Sequence, residues 1–156
     1  MATNLSPHFT LEELTFSQKA ARLGIDNTPS PAVIAYLTKL CDLLLEPARV
    51  ILETVAGHPV PLHVDSGYRS PDLNADVGGD PHSAHMEGRA ADVIPIGMPL
   101  HQAFDALRSN GLPFDRIIIE CGAWLHMAIA PDGVEPRRIA ETAAGGPGRW
   151  TYELVA

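Results

Sequence analysis

The spacing of hydrophobic and polar positions changes after the first third of the chain. Up to about residue 55, apolar side chains recur every three or four residues, which is the spacing of a helix that buries one face. Thr10 and Glu13 fit a capping box, which predicts a helix that begins at Leu11. A second short helix is expected over residues 17–23, with Gly24 as its end. The first third is therefore predicted to be a helical scaffold.

The longest helical pattern begins at Ser30, which fits an N-cap, and Pro31, which fits the first helical position. Pro47 should break or kink this helix, because proline cannot donate the backbone hydrogen bond of a helix interior. A continuation is expected over residues 48–55, ending at Gly57. The apolar face of the main helix consists of Val33, Ile34, Leu37, Leu40, Cys41, Leu44 and Leu45.

Beyond residue 57, short apolar runs alternate with helical patterns. The runs predict strands over residues 60–65 and 89–96, and the helical patterns predict helices over residues 71–77 and 98–110. Two further apolar runs, residues 116–120 and 124–130, are joined by Cys121, Gly122 and Ala123. This arrangement predicts a hairpin, because Gly122 can take the positive φ of a tight turn. Strands and helices mixed in this way indicate an α+β domain.

The pattern weakens from Pro131 onwards. An edge strand is expected over residues 137–140, and residues 143–148 are typical of a flexible connector. The final apolar and aromatic stretch, residues 150–154, is expected to dock on the body of the domain or on another chain. We therefore predict a domain over residues 1–142 and a C-terminal extension over residues 143–156.

Composition and charge narrow the class of protein. The chain has 156 residues, enough for one domain with a substantial core. Its net charge of −8 and its scattered basic residues argue against a nucleic-acid partner. The apolar runs are too short for a membrane span, and the opening residues lack the pattern of a secretory signal. Synthesis in the cytoplasm is therefore expected. Cys41 and Cys121 are expected to be buried free thiols, with a disulfide as the alternative.

Three residues have the side chains of a catalytic zinc site. His85 and Asp92 stand seven positions apart, and His126 follows in the second strand of the predicted hairpin. Two imidazoles and one carboxylate around an open fourth position form the ligand set of a catalytic zinc ion. Taken singly, each has an ordinary alternative: a surface histidine, a strand-end aspartate, and a core histidine bonded to a backbone carbonyl. Together they predict a zinc peptidase.

Three further residues supply what a zinc peptidase needs besides its metal. Glu120 ends the first hairpin strand, so the hairpin brings it near His126, where a carboxylate can act as general base and then as proton donor. Arg69 lies in a Gly-Tyr-Arg-Ser loop and suits the carboxylate of a peptide. Ser83 can donate a hydrogen bond to substrate. A solvated glutamate, a surface arginine and a turn serine are the alternatives.

The segments SGYRSPDLN, GG and SAHMEGRAAD, followed by the later WLH, together resemble the zinc D-alanyl-D-alanine carboxypeptidase family, which includes phage endolysins and shares its fold with the hedgehog signalling domain. The resemblance runs from about Pro7 to Ala130. It is strongest to the short members common in phages and prophages, which share the opening LSPHFTLEEL. The family's zinc ligands fall on His85, Asp92 and His126, its substrate-binding arginine on Arg69, and its motif serine on Ser83.

The resemblance also implies a fold and a substrate. The implied fold packs helices on a small antiparallel sheet that carries the zinc ion, and the implied substrate is the peptide of bacterial peptidoglycan. Several relatives place a carboxylate three residues before the last histidine, where this chain has Ala123, and some have a histidine at the position of Trp124. The hedgehog-like pattern instead has a glutamate six residues before, which Glu120 matches.

Two functions of different kinds follow from these observations. The first is a zinc metallopeptidase that acts on peptidoglycan stem peptides, as a carboxypeptidase or as an endolysin-type endopeptidase, at the cell wall after release or within a phage particle. The second is a zinc-bearing structural or wall-binding module of a phage tail that has lost turnover. Ala123 and the residues 150–154 motivate the second, because that ending can contact other tail proteins. A hydrolase of some other small peptide or amide is a third option.

Overall fold

The fold is described from a computed structural model that covers residues 1–155. Helices dominate the amino-terminal half, and most strands lie in the carboxy-terminal half. The helices are α1 (Leu11–Thr15), α2 (Gln18–Leu23), α3 (Pro31–Leu40), α4 (Glu46–Ala56), α5 (Pro71–Asp76) and α6 (Leu100–Ser109). The strands are β1 (Asn4–Ser6), β2 (Phe9–Thr10), β3 (Leu62–Ser66), β4 (Ala90–Pro95), β5 (Arg116–Glu120), β6 (Trp124–Ala128), β7 (Ile139–Ala144) and β8 (Thr151–Leu154).

The sequence patterns place these elements well, because most of the signals are local. The capping box forms as expected, with Thr10 accepting from the Glu13 amide and the Glu13 carboxylate accepting from the Thr10 amide. Ser30 caps α3 with Pro31 at its first position. The predicted strands and helices between residues 60 and 130 appear with ends shifted by a few residues. The small sheet of β1 and β2 has no counterpart in the prediction.

The expected break at Pro47 takes the form of a widened turn within a continuous helix. Residues Cys41–Leu45 form a π-helical turn between α3 and α4, in which the Glu46 amide donates to the Cys41 carbonyl. Proline has no amide proton to continue the usual ladder, and one wide turn is a common way to absorb that loss. The apolar face stays aligned across the turn, because Leu37, Leu44 and Leu52 are all fully buried.

Most of the strands form one mixed sheet of six, in the order β3-β4-β6-β5-β7-β8. Helices packed on this sheet confirm the predicted α+β class. All neighbouring strands of the sheet pair antiparallel except β5 and β7, which are parallel. Because a parallel pair needs a crossover connection, β7 enters the sheet beside β5 after a long excursion through residues 129–138.

A single apolar cluster holds the helices against the sheet. Leu44, Leu52 and Phe104 from the helices belong to the same buried cluster as Ile117 and Leu125 from the sheet. Full burial of one such side chain stabilises the fold by about 1.5–3 kcal/mol. The burial of this cluster fixes the strands of the sheet, and therefore any side chains that project from its other face.

The end of the described chain is more ordered than its composition suggested. The predicted edge strand is β7, which runs to Ala144 and so includes residues that were expected to be a flexible connector. The predicted boundary between residues 142 and 143 falls inside this strand. Asp115 directs the crossover, since its carboxylate accepts from the backbone amide and the guanidinium of Arg137. The residues expected to dock do so on this same chain, as strand β8 paired with β7.

The two cysteines differ in burial. Cys41 is fully buried, and burial raises the pKa of its thiol to about 12. Cys121 is exposed at the tip of the β5–β6 hairpin, so its expected burial was wrong. Cys121 stands in the turn, with a φ of 52°, and a turn at the end of a hairpin leaves its side chains in solvent. Both thiols are free. Within residues 1–155, the helices are all too short or too polar to span a bilayer.

Candidate metal centre and its groove

Strand register brings the first two candidate ligands together. Asp92 of β4 lies directly opposite His126 of β6, so both side chains project from the same face of the sheet. His85 comes from a short 3₁₀ helix, Ala84–Glu87, that Ser83 caps. The Asp92 Oδ1 lies 3.2 Å from His85 Nε2 and 3.0 Å from His126 Nδ1, and the two imidazole nitrogens are 3.2 Å apart. All three residues are buried.

The orientation of His85 is set by a backbone carbonyl. Its Nδ1 lies 2.7 Å from the Gly67 carbonyl oxygen, which only accepts hydrogen bonds, so Nδ1 carries the proton and Nε2 presents a lone pair to the cluster. Gly67 is itself held by the amino-terminal helices, because a Cβ there would stand 2.2 Å from the Leu14 carbonyl oxygen. The Tyr68 amide donates to that same oxygen. The helical scaffold therefore positions a ligand of the site.

The cluster fits a zinc ion. Donor atoms held about 2.0–2.1 Å from one tetrahedral zinc stand about 3.3 Å from each other, close to the spacings observed here. In the neutral cluster, the lone pair of His85 Nε2 would face a carboxylate oxygen, which is repulsive. A cation shared by the three residues removes that repulsion, and each of the three side chains gives it one ligand atom. Among the described residues, His85, Asp92 and His126 form the one such group of potential ligands.

The two histidines keep Asp92 in the ionised form that binds a cation. Burial by itself would raise the pKa of Asp92, but the neighbouring His85 and His126 outweigh it and hold that pKa well below its usual range. The carboxylate is therefore ionised at neutral pH. An ionised carboxylate beside two imidazoles is the form that binds a divalent metal.

Glu120 stands beside this centre at the end of β5. Its Oε1 lies 3.9 Å from His126 Nδ1, and its Oε2 accepts a hydrogen bond of 2.9 Å from the Trp124 indole nitrogen. Burial and then the charge of Asp92 raise the pKa of Glu120, against smaller opposing effects of His126, Trp124 and Arg69. Trp124 pairs with Glu120 across the hairpin turn, and this position was the sequence signal for the contact.

Arg69 and Ser83 form a polar pair near the same centre. The Arg69 guanidinium donates to Ser83 Oγ at 3.3 Å, and the backbone amide of Arg69 donates to the His85 carbonyl. Ser83 Oγ also accepts from the His85 amide, so its own proton remains available to a ligand. Burial lowers the pKa of Arg69, and the charges of Asp92 and Glu120 oppose this. Arg69 Nε is buried and finds no hydrogen-bond partner among the described residues.

An open groove of about 1470 Å³ runs over these residues. It contains all six predicted site residues, so the fold brings together positions that lie up to 57 residues apart. The metal-binding, catalytic and substrate-binding roles of these six residues stay predictions. His82 also lines the groove, but its backbone amide bonds Asp80 and its ring lies outside the ligand cluster. The groove further includes Trp150, which precedes β8, and Tyr152 of β8, neither of which was predicted to line it.

Comparison with known proteins adds an independent observation. The family profile described as peptidase M15 matches residues 7–128, which is most of the chain and includes every residue of the metal cluster. A search among curated proteins finds no match to this chain. The matched region ends at the last residue of β6, so β7 and β8 lie outside it.

Proposed function

This chain belongs to the peptidase M15 family and is a metallopeptidase, and we propose that it hydrolyses peptide bonds in the stem peptides of bacterial peptidoglycan with zinc as its metal. One observation carries the proposal. Three donor atoms from distant parts of the chain converge at 3.0–3.2 Å within a groove wide enough for a peptide. An open side toward the groove leaves room for water and substrate.

The metal would be held by His85 Nε2, Asp92 and His126 Nδ1. Zinc bound there supplies a Lewis acid that acidifies water and polarises a carbonyl. The remaining tasks belong to the protein. Arg69 binds a carboxylate of the peptide through the terminal nitrogens of its guanidinium, one of which already donates to Ser83 Oγ. Ser83, fixed by Arg69 and by the His85 amide, donates its proton to the substrate backbone.

Glu120 performs the proton transfer. Its Oε1 faces the metal ligands, and its Oε2 is held by Trp124, so the carboxylate is oriented before substrate arrives. It takes a proton from water as the water oxygen bonds to the scissile carbonyl carbon. The same proton then passes to the amide nitrogen as the carbon–nitrogen bond breaks. The products are a new carboxylic acid, which ionises by passing its proton to the new amine, and Glu120 returns to its starting state.

The test is mass spectrometry of peptidoglycan fragments digested by the purified protein, alongside metal analysis. Zinc-loaded protein should release a new amine, EDTA should abolish release, and added zinc should restore it. Glu120→Gln should lower the rate by a factor of about 10²–10⁴ while zinc content stays unchanged. Glu53→Gln, at an exposed position on α4, is the matched control and should keep full activity.

The result that contradicts the proposal is also specific. If protein with one zinc per chain releases no product from any wall peptide, the proposed hydrolysis of peptidoglycan is refuted. Tight binding of wall fragments by that same inactive protein would instead support the wall-binding module of a phage tail. Hydrolysis of an unrelated peptide or amide, with none of wall peptides, would support the third option.

A further inference from the structure

The carboxy-terminal strands complete the groove from outside the matched family region. Strand β7 pairs with β5, which ends at Glu120. This pairing places the segment that follows β7 beside the turn of the β5–β6 hairpin. The Cys121 amide donates to the Ala143 carbonyl, and its thiol lies 3.4 Å from the Gly145 carbonyl. Residues 145–150, which we name the C-terminal turn, join β7 to β8, and all of them except Arg149 line the groove.

The C-terminal turn has a defined conformation. The Arg149 amide donates to the Gly146 carbonyl at 2.8 Å, with Pro147 and then Gly148, at a φ of 73°, between them. Proline followed by a glycine of positive φ is the pattern of a type II turn. Gly145 is equally constrained, because a Cβ there would stand 2.1 Å from the Arg149 carbonyl oxygen. The segment therefore has a defined backbone path along the groove wall.

The C-terminal turn touches the opposite wall. A Cβ placed on Gly78 would stand 2.6 Å from the Pro147 Cβ, so the proline ring is in van der Waals contact with that glycine. Gly78 begins the loop that leads to Ser83, and Asn74 anchors this loop by donating to the Asp80 carbonyl and accepting from the Gly79 amide. The contact thus bridges the wall that carries Ser83 and the wall that carries Glu120.

A bridged groove limits how far a substrate can extend. Arg69 donates to Ser83, which lies on one of the two bridged walls, and its partly buried guanidinium suits a carboxylate. We propose that the C-terminal turn is a specificity wall that selects peptides with a free carboxyl terminus close to the scissile bond, such that a peptide ending in a carboxylate at Arg69 fits under the bridge and a longer one meets Pro147; this rests on the function proposed above.

If the C-terminal turn limits substrate length, two peptides that differ only at the carboxyl end should be hydrolysed at different rates. Two synthetic stem peptides are compared, identical except that one ends in a free carboxylate and the other continues by a short dipeptide. The zinc-loaded protein should favour the free carboxylate in kcat/KM by about tenfold or more. The dissociation constants of both peptides for the Glu120→Gln variant, measured by calorimetry, should show the same order of preference without turnover.

Two variants connect this preference to the wall. Pro147→Gly removes the ring that contacts Gly78, and Gly78→Ala inserts a methyl group that displaces the turn. Each should reduce the preference by about fivefold or more, through improved hydrolysis of the extended peptide. Their controls are Pro59→Gly, at an exposed loop outside the groove, and Gly111→Ala, whose φ of 73° matches that of Gly78 but whose added Cβ has nothing described within 4 Å. Both controls should keep the parent ratio.

The outcomes separate this inference from the function it rests on. Equal hydrolysis of the two peptides by the parent protein, or parent-like ratios in both Pro147→Gly and Gly78→Ala, would overturn the specificity wall and leave the peptidase intact. No hydrolysis of either peptide with zinc bound, together with no release from whole peptidoglycan, would overturn the peptidase and the wall with it.

Discussion

The hydrogen bond from the Trp124 indole to Glu120 offers a sharp test of how the site is assembled. Trp124→Phe keeps an aromatic ring in the groove and removes only the donor that holds Glu120 Oε2 at 2.9 Å. A hydrogen bond to a charged group contributes about 1.5–3 kcal/mol, and Glu120 retains slight exposure to water that can replace part of it. We therefore expect a loss of about 1.5 kcal/mol in transition-state stabilisation, which is about tenfold in kcat/KM.

A double-mutant cycle shows whether Trp124 acts through Glu120. In a Glu120→Ala background the indole has no carboxylate to orient, so Trp124→Phe should change kcat/KM by less than about twofold. The assay is mass spectrometry of stem-peptide hydrolysis over long incubations. An equal tenfold loss in both backgrounds would refute the idea that Trp124 positions the base.

Three further predictions concern the metal, the crossover and the core. Zinc at about a thousand times its Kd should stabilise the fold by about 4 kcal/mol and raise the Tm by about 8–16 °C, and Asp92→Asn should lose most of this rise in a thermal melt. The hydrogen bond and the charge of Arg137 lower the pKa of Asp115 in the folded state. The stability that the ionised Asp115 contributes is therefore present above pH ~4 and is lost as the pH falls through that lowered pKa. Asp115→Asn should therefore cost about 1–2 kcal/mol near neutral pH and little in acid, by denaturant melts. Leu44→Ala, at a fully buried position, should cost about 2–5 kcal/mol, whereas Leu43→Ala on the exposed side of the same turn should cost less than about 0.5 kcal/mol.

Each of these has an outcome that would count against its physical reason. A zinc-induced rise in Tm that survives Asp92→Asn would place the metal elsewhere. A cost of Asp115→Asn that stays constant from neutral pH to strong acid would mean that the carboxylate charge is not what holds the crossover. Equal costs for the two leucine substitutions would show that the widened turn does not direct one face into the core.

Local features of the sequence were sufficient to predict most elements. The capping box at Thr10, the cap and proline at Ser30 and Pro31, and the hairpin around Gly122 depend on neighbours within a few residues, so they are readable without the fold. The family resemblance rested on the same local segments, and the peptidase M15 match over residues 7–128 confirms it. The candidate ligands were likewise identifiable by residue type, because few side chains bind zinc.

Long-range packing decided how site residues that are far apart in the chain lie relative to one another, which local sequence signals do not contain. The pairing of Asp92 with His126, and the carbonyl of Gly67 behind His85, depend on strand register and on a helix at the far end of the chain. The parallel entry of β7 beside β5 made part of an apparent connector a strand and placed the following glycine and proline turn in the groove wall, because the pairing of β7 decides where that turn lies. The sequence alone thus determined which chemistry was available, and the tertiary structure decided where its atoms meet and how much substrate the groove admits, since both depend on contacts between residues far apart in the chain.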